Sequence, residues 1–179
     1  MKKLKSKLFC ICLFSIATLT ACSSDDSSNS ENTSSSGQSI TLNFTQGQFT
    51  GVLNNSNFQN GVGGASRFQI DNETSYLLVY GNGVNQFNGH ITNKNSGQLS
   101  SLLDNESNDN NIVTIMSSGK RYTSTSGTFN ISQEQVISDQ SGMEMIKCKF
   151  TFNGTFKATS LTSDDVIENN VKINGTVNF

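Results

Sequence analysis

Tryptophan is absent from this chain, histidine occurs once and tyrosine three times. Glycan-binding faces normally present Trp or Tyr platforms, so this shortage weakens a carbohydrate-binding reading. A single histidine excludes a His-based metal cluster and a serine triad. Strand parity places that residue, His90, outward beside Gly89, where it reads as a surface side chain. No long stretch carries apolar residues at helical spacing, which argues against a helical body.

Cysteine and positive charge are scarcer than the raw counts of four and twelve suggest. Lys2, Lys3, Lys5 and Lys7 form a positive start, followed by an apolar stretch from Leu8 to Ala21 that is too short for a comfortable transmembrane helix. Residues 1–21 read as a signal peptide. The run Leu19-Thr20-Ala21-Cys22 at its end resembles a bacterial lipobox. That resemblance implies a diacylglycerol on the Cys22 thiol, cleavage before it and acylation of the new amino terminus. Each buried methylene contributes about 0.8 kcal/mol, so several acyl chains would anchor the protein firmly.

Residues 22–39 are rich in Ser, Asn and Thr and read as a lipidated, disordered tether. Ser23-Ser24-Asp25-Asp26 also resembles the export signal of Bacteroidetes lipoproteins, which implies the cell surface over the periplasmic face of the outer membrane. Losing the four signal lysines leaves eight basic residues against fourteen acidic ones, a formal charge of −6. Such a balance argues against nucleic-acid binding, and Lys120-Arg121, the only adjacent basic pair of the mature chain, is explained by a solvated turn. Cys10 and Cys12 leave with the signal, so Cys148 stands alone. The fold then rests on its apolar core, with neither a disulfide nor a zinc cluster, and Cys148 reads as a small buried hydrophobe.

Residues 40–179 read as one β domain. Ile40, Leu42 and Phe44 share a face, as do Ile146, Cys148, Phe150, Phe152, Phe156 and Ala158. Val171, Ile173, Val177 and Phe179 do the same on the last strand, with Lys172, Asn174, Thr176 and Asn178 outward. A five-residue pattern with an inward glycine recurs at Phe49–Leu53, Phe87–Ile91, Thr125–Phe129, Phe152–Phe156 and Ile173–Val177. Its Asn-Gly pairs would ordinarily mark hairpins, but flanking residues keep the same parity, so continuous strands are expected. Gly81-Asn82-Gly83 reads as a true turn. The uneven spacing of the copies excludes a solenoid or propeller repeat. The expected fold is all-β, an antiparallel β-sandwich or a strongly curved, partly closed β-barrel. Long polar loops are expected near Gly97 to Asn111 and Ser160 to Asn170, with one short helical turn at Asp164-Asp165-Val166-Ile167.

The segments Tyr122–Ile131, Phe152–Phe156 and Val171–Phe179 resemble the carboxy-terminal half of small Bacteroidetes lipoproteins carrying a domain of unknown function. That resemblance implies an extracytoplasmic β-rich lipoprotein and brings no catalytic residues with it.

Asp104, Glu106, Asn108 and Asn110 place oxygens at alternate positions and are weak candidates for a calcium loop. Asp109 occupies the sixth position in place of glycine and Ile115 the twelfth in place of glutamate, so a solvated loop is the better reading. Asp71 with Glu73, and Asp164 with Asp165, read as surface charge. The expected function is a non-enzymatic binding or structural module at the outer membrane, anchored through lipid, with no cofactor. Its protein or small-molecule partner is not legible. One alternative is a carrier of a small apolar ligand in a curved-sheet cavity, suggested by the inward phenylalanines and glycines; a filled core explains the same residues. Another is a carboxylate-based glycan hydrolase, which requires an open cleft with two facing acids about 5 to 10 Å apart.

Overall fold

A computed structural model describes residues 37–59, 61–70, 73–92, 95–101, 111–140 and 142–179. Cys22, the signal segment, the tether through residue 36, Asp71 and the loop candidates Asp104, Glu106, Asn108 and Asn110 lie outside the described residues. Among the described residues, alternating polar and apolar positions build ten strands: β1 (Ser39–Gln46), β2 (Gly51–Asn54), β3 (Val62–Ile70), β4 (Glu73–Gly81), β5 (Gln86–Thr92), β6 (Ser96–Leu99), β7 (Ile112–Ser117), β8 (Lys120–Gln140), β9 (Met143–Ser160) and β10 (Val166–Asn178). Every pairing is antiparallel, and no helix occurs among the described residues.

The strand order is β2-β1-β10-β9-β3-β4-β5-β7-β8-β6, and β8 also pairs with β9. That extra pairing closes a ring of β9, β3, β4, β5, β7 and β8, from which β10, β1 and β2 extend on one side and β6 on the other. Closure is possible because β8 and β9 are 21 and 18 residues long and each serves two neighbours along one edge. On β9, Met143–Ile146 pair with β3 while the stretch from Lys149 to Thr159 pairs with β10. On β8, Lys120–Thr123 pair with β7 and Gly127–Asn130 with β6. Strands this long stay in a closed sheet only if they bend. Register shifts at Ser124/Ser126, Ser132/Gln135 and Val136/Ser138 supply the bends.

The inward residues expected on β1, β9 and β10 are all buried. The phenylalanines of β9 pack on one another and on Phe87 of β5: Phe87 against Phe150 at 5.7 Å, Phe150 against Phe152 at 5.8 Å, and Phe152 against Phe156 edge-on at 5.9 Å. Gly175 sits in register between Leu42 and Phe152, and a Cβ there would lie 2.5 Å from the Phe152 ring. Gly127 and Gly154 face each other across β8 and β9, where two backbones approach too closely for side chains. The repeated glycine thus makes room for aromatic rings and for a tight strand pair.

Several expected boundaries shift. Phe49 and Thr50 precede β2, so the first copy of the glycine pattern is not a continuous strand. The Phe49 ring instead lies over Gly51 and packs edge-on against Phe44, 5.1 Å away. Ser96–Leu99 is a strand, because it finds the free edge of β8. The segment Asp164–Ile167 forms no helical turn: Asp164 adopts φ 56 and β10 begins at Val166, pairing with Thr159. Around Gly81-Asn82-Gly83 the turn forms as expected, with Asn82 Oδ1 accepting from the amides of Val84 and Asn85.

Candidate functional site

At the end of the ring where the β8–β9 hairpin turns back, the inner face changes from apolar to charged. Arg67 follows Ala65 on the inward side of β3, and its neighbours across the sheet are Glu144 on β9 and Tyr76 on β4. Arg67 Nε donates to Glu144 Oε2 at 2.6 Å, and Nη1 donates to Glu134 Oε2 at 2.9 Å. Tyr76 is almost wholly buried, yet its hydroxyl donates to Asn95 Oδ1 at 2.6 Å and lies 3.3 Å from Glu134 Oε2. Asn95 Nδ2 completes the network by donating to Glu134 Oε1 at 2.8 Å.

A backbone irregularity aims Glu134. Ser132 pairs with Lys149 and Gln135 with Lys147, leaving Gln133 and Glu134 opposite Cys148 alone. Gln133 adopts φ 58, a left-handed conformation that costs roughly 1 to 2 kcal/mol for a residue with a Cβ. The bulge turns Glu134 toward Arg67, and only 15% of its side chain remains exposed.

Electrostatics follow from this packing. The hydrogen bond to Glu144 raises the Arg67 pKa, against an opposing desolvation, so its charge is permanent. Burial raises the Tyr76 pKa, with the charge of Glu134 adding to it. Burial also pushes the Cys148 thiol up to about 12, again helped by Glu134, so the lone cysteine is an inert core residue.

Above the network opens a cleft of about 540 Å³, lined by Arg67, Gln69, Thr74, Asn95, Asp139 and Glu144 among others. Its size lies within the range typical of ligand pockets, about 300 to 1,000 Å³. Asp139 stands directly across the strand pair from Glu144. Two carboxylates, Glu134 and Glu144, thus hold the guanidinium, and a third, Asp139, lines the same cleft.

The residues singled out in the sequence lie elsewhere. His90 is exposed on the outer face of β5. Asp164 pairs with Arg121 at 3.1 Å, and Lys120 Nζ donates to Gln48, so the one basic pair is spent on local contacts. Glu73 begins β4 opposite Ile70. The cleft residues carry no motif, being scattered from position 67 to 144. Two of them did leave a signal: Arg67 shares inward parity with Ala65, and Glu144 with Ile146 and Cys148. Charged residues at core parity mark a place where the core opens. No family model, curated protein or solved structure matches this chain.

Proposed function

We propose that this chain is a lipid-anchored, non-enzymatic binding module of the outer membrane, tethered through Cys22, with the cleft at the ring end as its binding site. The observation that carries the reading is the preorganised polar network below the cleft, in which Arg67, Tyr76, Asn95, Glu134 and Glu144 hold one another in place on rigid strands. The carrier alternative asks for an apolar cavity, whereas the inward phenylalanines contact one another. The hydrolase alternative asks for two acids flanking a bond from opposite sides. Here Asp139 and Glu144 stand side by side on adjacent strands, and Glu144 is tied to Arg67.

Two measurements test the proposal. The wild-type chain should enter the detergent phase on partition, and Cys22→Ser should leave it in the aqueous phase. Hydrolase turnover by the purified protein, abolished by Asp139→Asn or Glu144→Gln, would overturn the non-enzymatic reading.

A further inference from the structure

Along β9 the side chains of Met143, Met145, Lys147 and Lys149 point away from the core, because Ile146, Cys148 and Phe150 between them are buried. Register carries this outer face onto the neighbouring strands. Met145 stands opposite Ser66 of β3 and Ser66 opposite Leu77 of β4, while Met143 stands opposite Phe68 and Val79 opposite Gly64. The side chains meet as that register requires. Ser66 Oγ donates to Met145 Sδ at 3.4 Å, and a Cβ on Gly64 would lie 3.5 Å from Met145 Cε, so Met145 lies over Gly64 and next to Val79. Val62, Leu77, Val79, Met143 and Met145 share this face, five of the twelve exposed large hydrophobic residues among those described. An apolar patch of this kind on the outer wall of a β domain marks a contact surface.

Its border is positive. Lys147 and Lys149 continue the row on β9 and make no side-chain hydrogen bond or ion pair among the described residues. Glu134, Asp139 and Glu144 lie on the opposite, inner side of the sheet with Arg67. Among the described carboxylates of β3, β4, β8 and β9, Glu73 alone has outer parity, and it stands six positions along β4 from Val79.

The chain also enters the domain beside these lysines. Ser39 pairs with Asn178 and Asn178 with Lys149, and Asn178 Nδ2 donates to Ser39 Oγ at 2.6 Å. Two strand spacings, about 10 Å, separate Ser39 from Lys149. A coil of the length from Cys22 to Ser39 spans about 23 Å root-mean-square. A lipid on Cys22 therefore holds this wall of the domain within reach of the bilayer.

From the patch, its lysines and the point of entry together we infer that the outer wall of β9, β3 and β4 lies against the anionic lipid surface that holds the chain. The inference rests on the lipid-anchored reading above and adds the orientation of the domain. Lys147 and Lys149 sit among the lipid phosphates, and Met143, Met145, Leu77 and Val79 enter the boundary between headgroups and acyl chains. The cleft opens on the other side of the sheet and is left uncovered.

The test places the isotope-labelled, lipid-modified full chain in lipid nanodiscs that carry a headgroup spin label, and reads line broadening by NMR. One set of discs is phosphatidylcholine alone, and the other also contains phosphatidylglycerol. In the anionic discs broadening should peak at residues 64–66, 77–79 and 143–149. It should exceed that in neutral discs at least about threefold, since each lysine near such a surface strengthens attachment roughly fivefold. Lys147→Glu with Lys149→Glu, both at outward positions, should abolish the difference without lowering the melting temperature. Leu77→Ser with Met145→Ser should reduce broadening several-fold in the anionic discs. Broadening that is equal in the two discs, spread evenly over the domain or centred on another face would overturn the inference and leave the anchor standing. Broadening here that grows with the number of chains per disc, and not with lipid charge, would assign the face to a second copy and overturn it as well. A chain that enters neither disc removes the anchored reading itself, and the inference with it.

Discussion

Replacing Gly175 with alanine should destabilise the fold, although alanine is ordinarily the better strand residue by roughly 0.5 to 1 kcal/mol. The added methyl would lie 2.5 and 2.7 Å from two ring carbons of Phe152 and 2.8 Å from Leu42 Cδ2. Phe152 cannot retreat, because Phe87, Phe150 and Phe156 surround its ring. Overpacking of this kind costs about 1 to 3 kcal/mol, which leaves a net loss of about 1 to 2 kcal/mol. Gly64→Ala is the matched control, since its nearest atom is the flexible end of Met145 at 3.5 Å, and it should gain a few tenths of a kcal/mol. Gly127→Ala should be the worst of the three. Its methyl would strike the Asn153 carbonyl and the Gly154 backbone, and its φ of +137 disfavours any side chain, so a loss above about 3 kcal/mol is expected. Urea denaturation followed by circular dichroism reads all three. The separation between Gly64→Ala and Gly175→Ala should be about 2 kcal/mol, or roughly 4 to 8 °C in melting temperature for a domain of this size. A Gly175→Ala midpoint at or above that of Gly64→Ala would show that inward glycines do not make room for the rings.

Arg67→Ala should cost about 1 to 3 kcal/mol, because it leaves Glu134 partly buried without its cation. Adding Glu134→Gln should restore part of the loss, which a double-mutant cycle measures. Gln133→Gly should raise stability by about 0.5 to 1 kcal/mol by relieving the left-handed φ, and Gln133→Val should lower it, both read from urea midpoints. Cys148 predicts a pH dependence. Its thiol titrates near the ordinary thiol value of 9.0 when unfolded but at about 12 in the fold, so the native state retains a proton that the unfolded chain loses. Stability from this group is complete below pH 9 and falls by about 1.4 kcal/mol per pH unit between 9 and 12. Cys148→Ala should flatten that part of the profile relative to wild type; identical slopes would count against the assignment.

Parity along single strands was legible because it is local. Ile40, Leu42 and Phe44 alternate with polar residues, and a period of two leaves them no other common face. The same argument carried β9 and β10 through their Asn-Gly pairs, where turn propensity alone would have broken them. It failed at Glu134, which lies on the wrong parity from Ile131 and reaches the cleft only because the chain bulges at Gln133. The helical turn expected at Asp164–Ile167 failed for a separate reason, because pairing of Val166 with Thr159 overrode the local pattern.

By itself, the amino-acid sequence determined an all-β body, the inward set of apolar residues and the inward glycines, because each depends on neighbours two positions away. It also placed Arg67 and Glu144 at core parity. Only the tertiary structure decided that Gly175 lies beneath Phe152, that β9 divides one edge between β3 and β10, and that Arg67 meets Glu134 from 67 positions away. Those outcomes depend on register and ring closure. Both are set by how well distant strands fill shared space, a quantity that no short window of sequence contains.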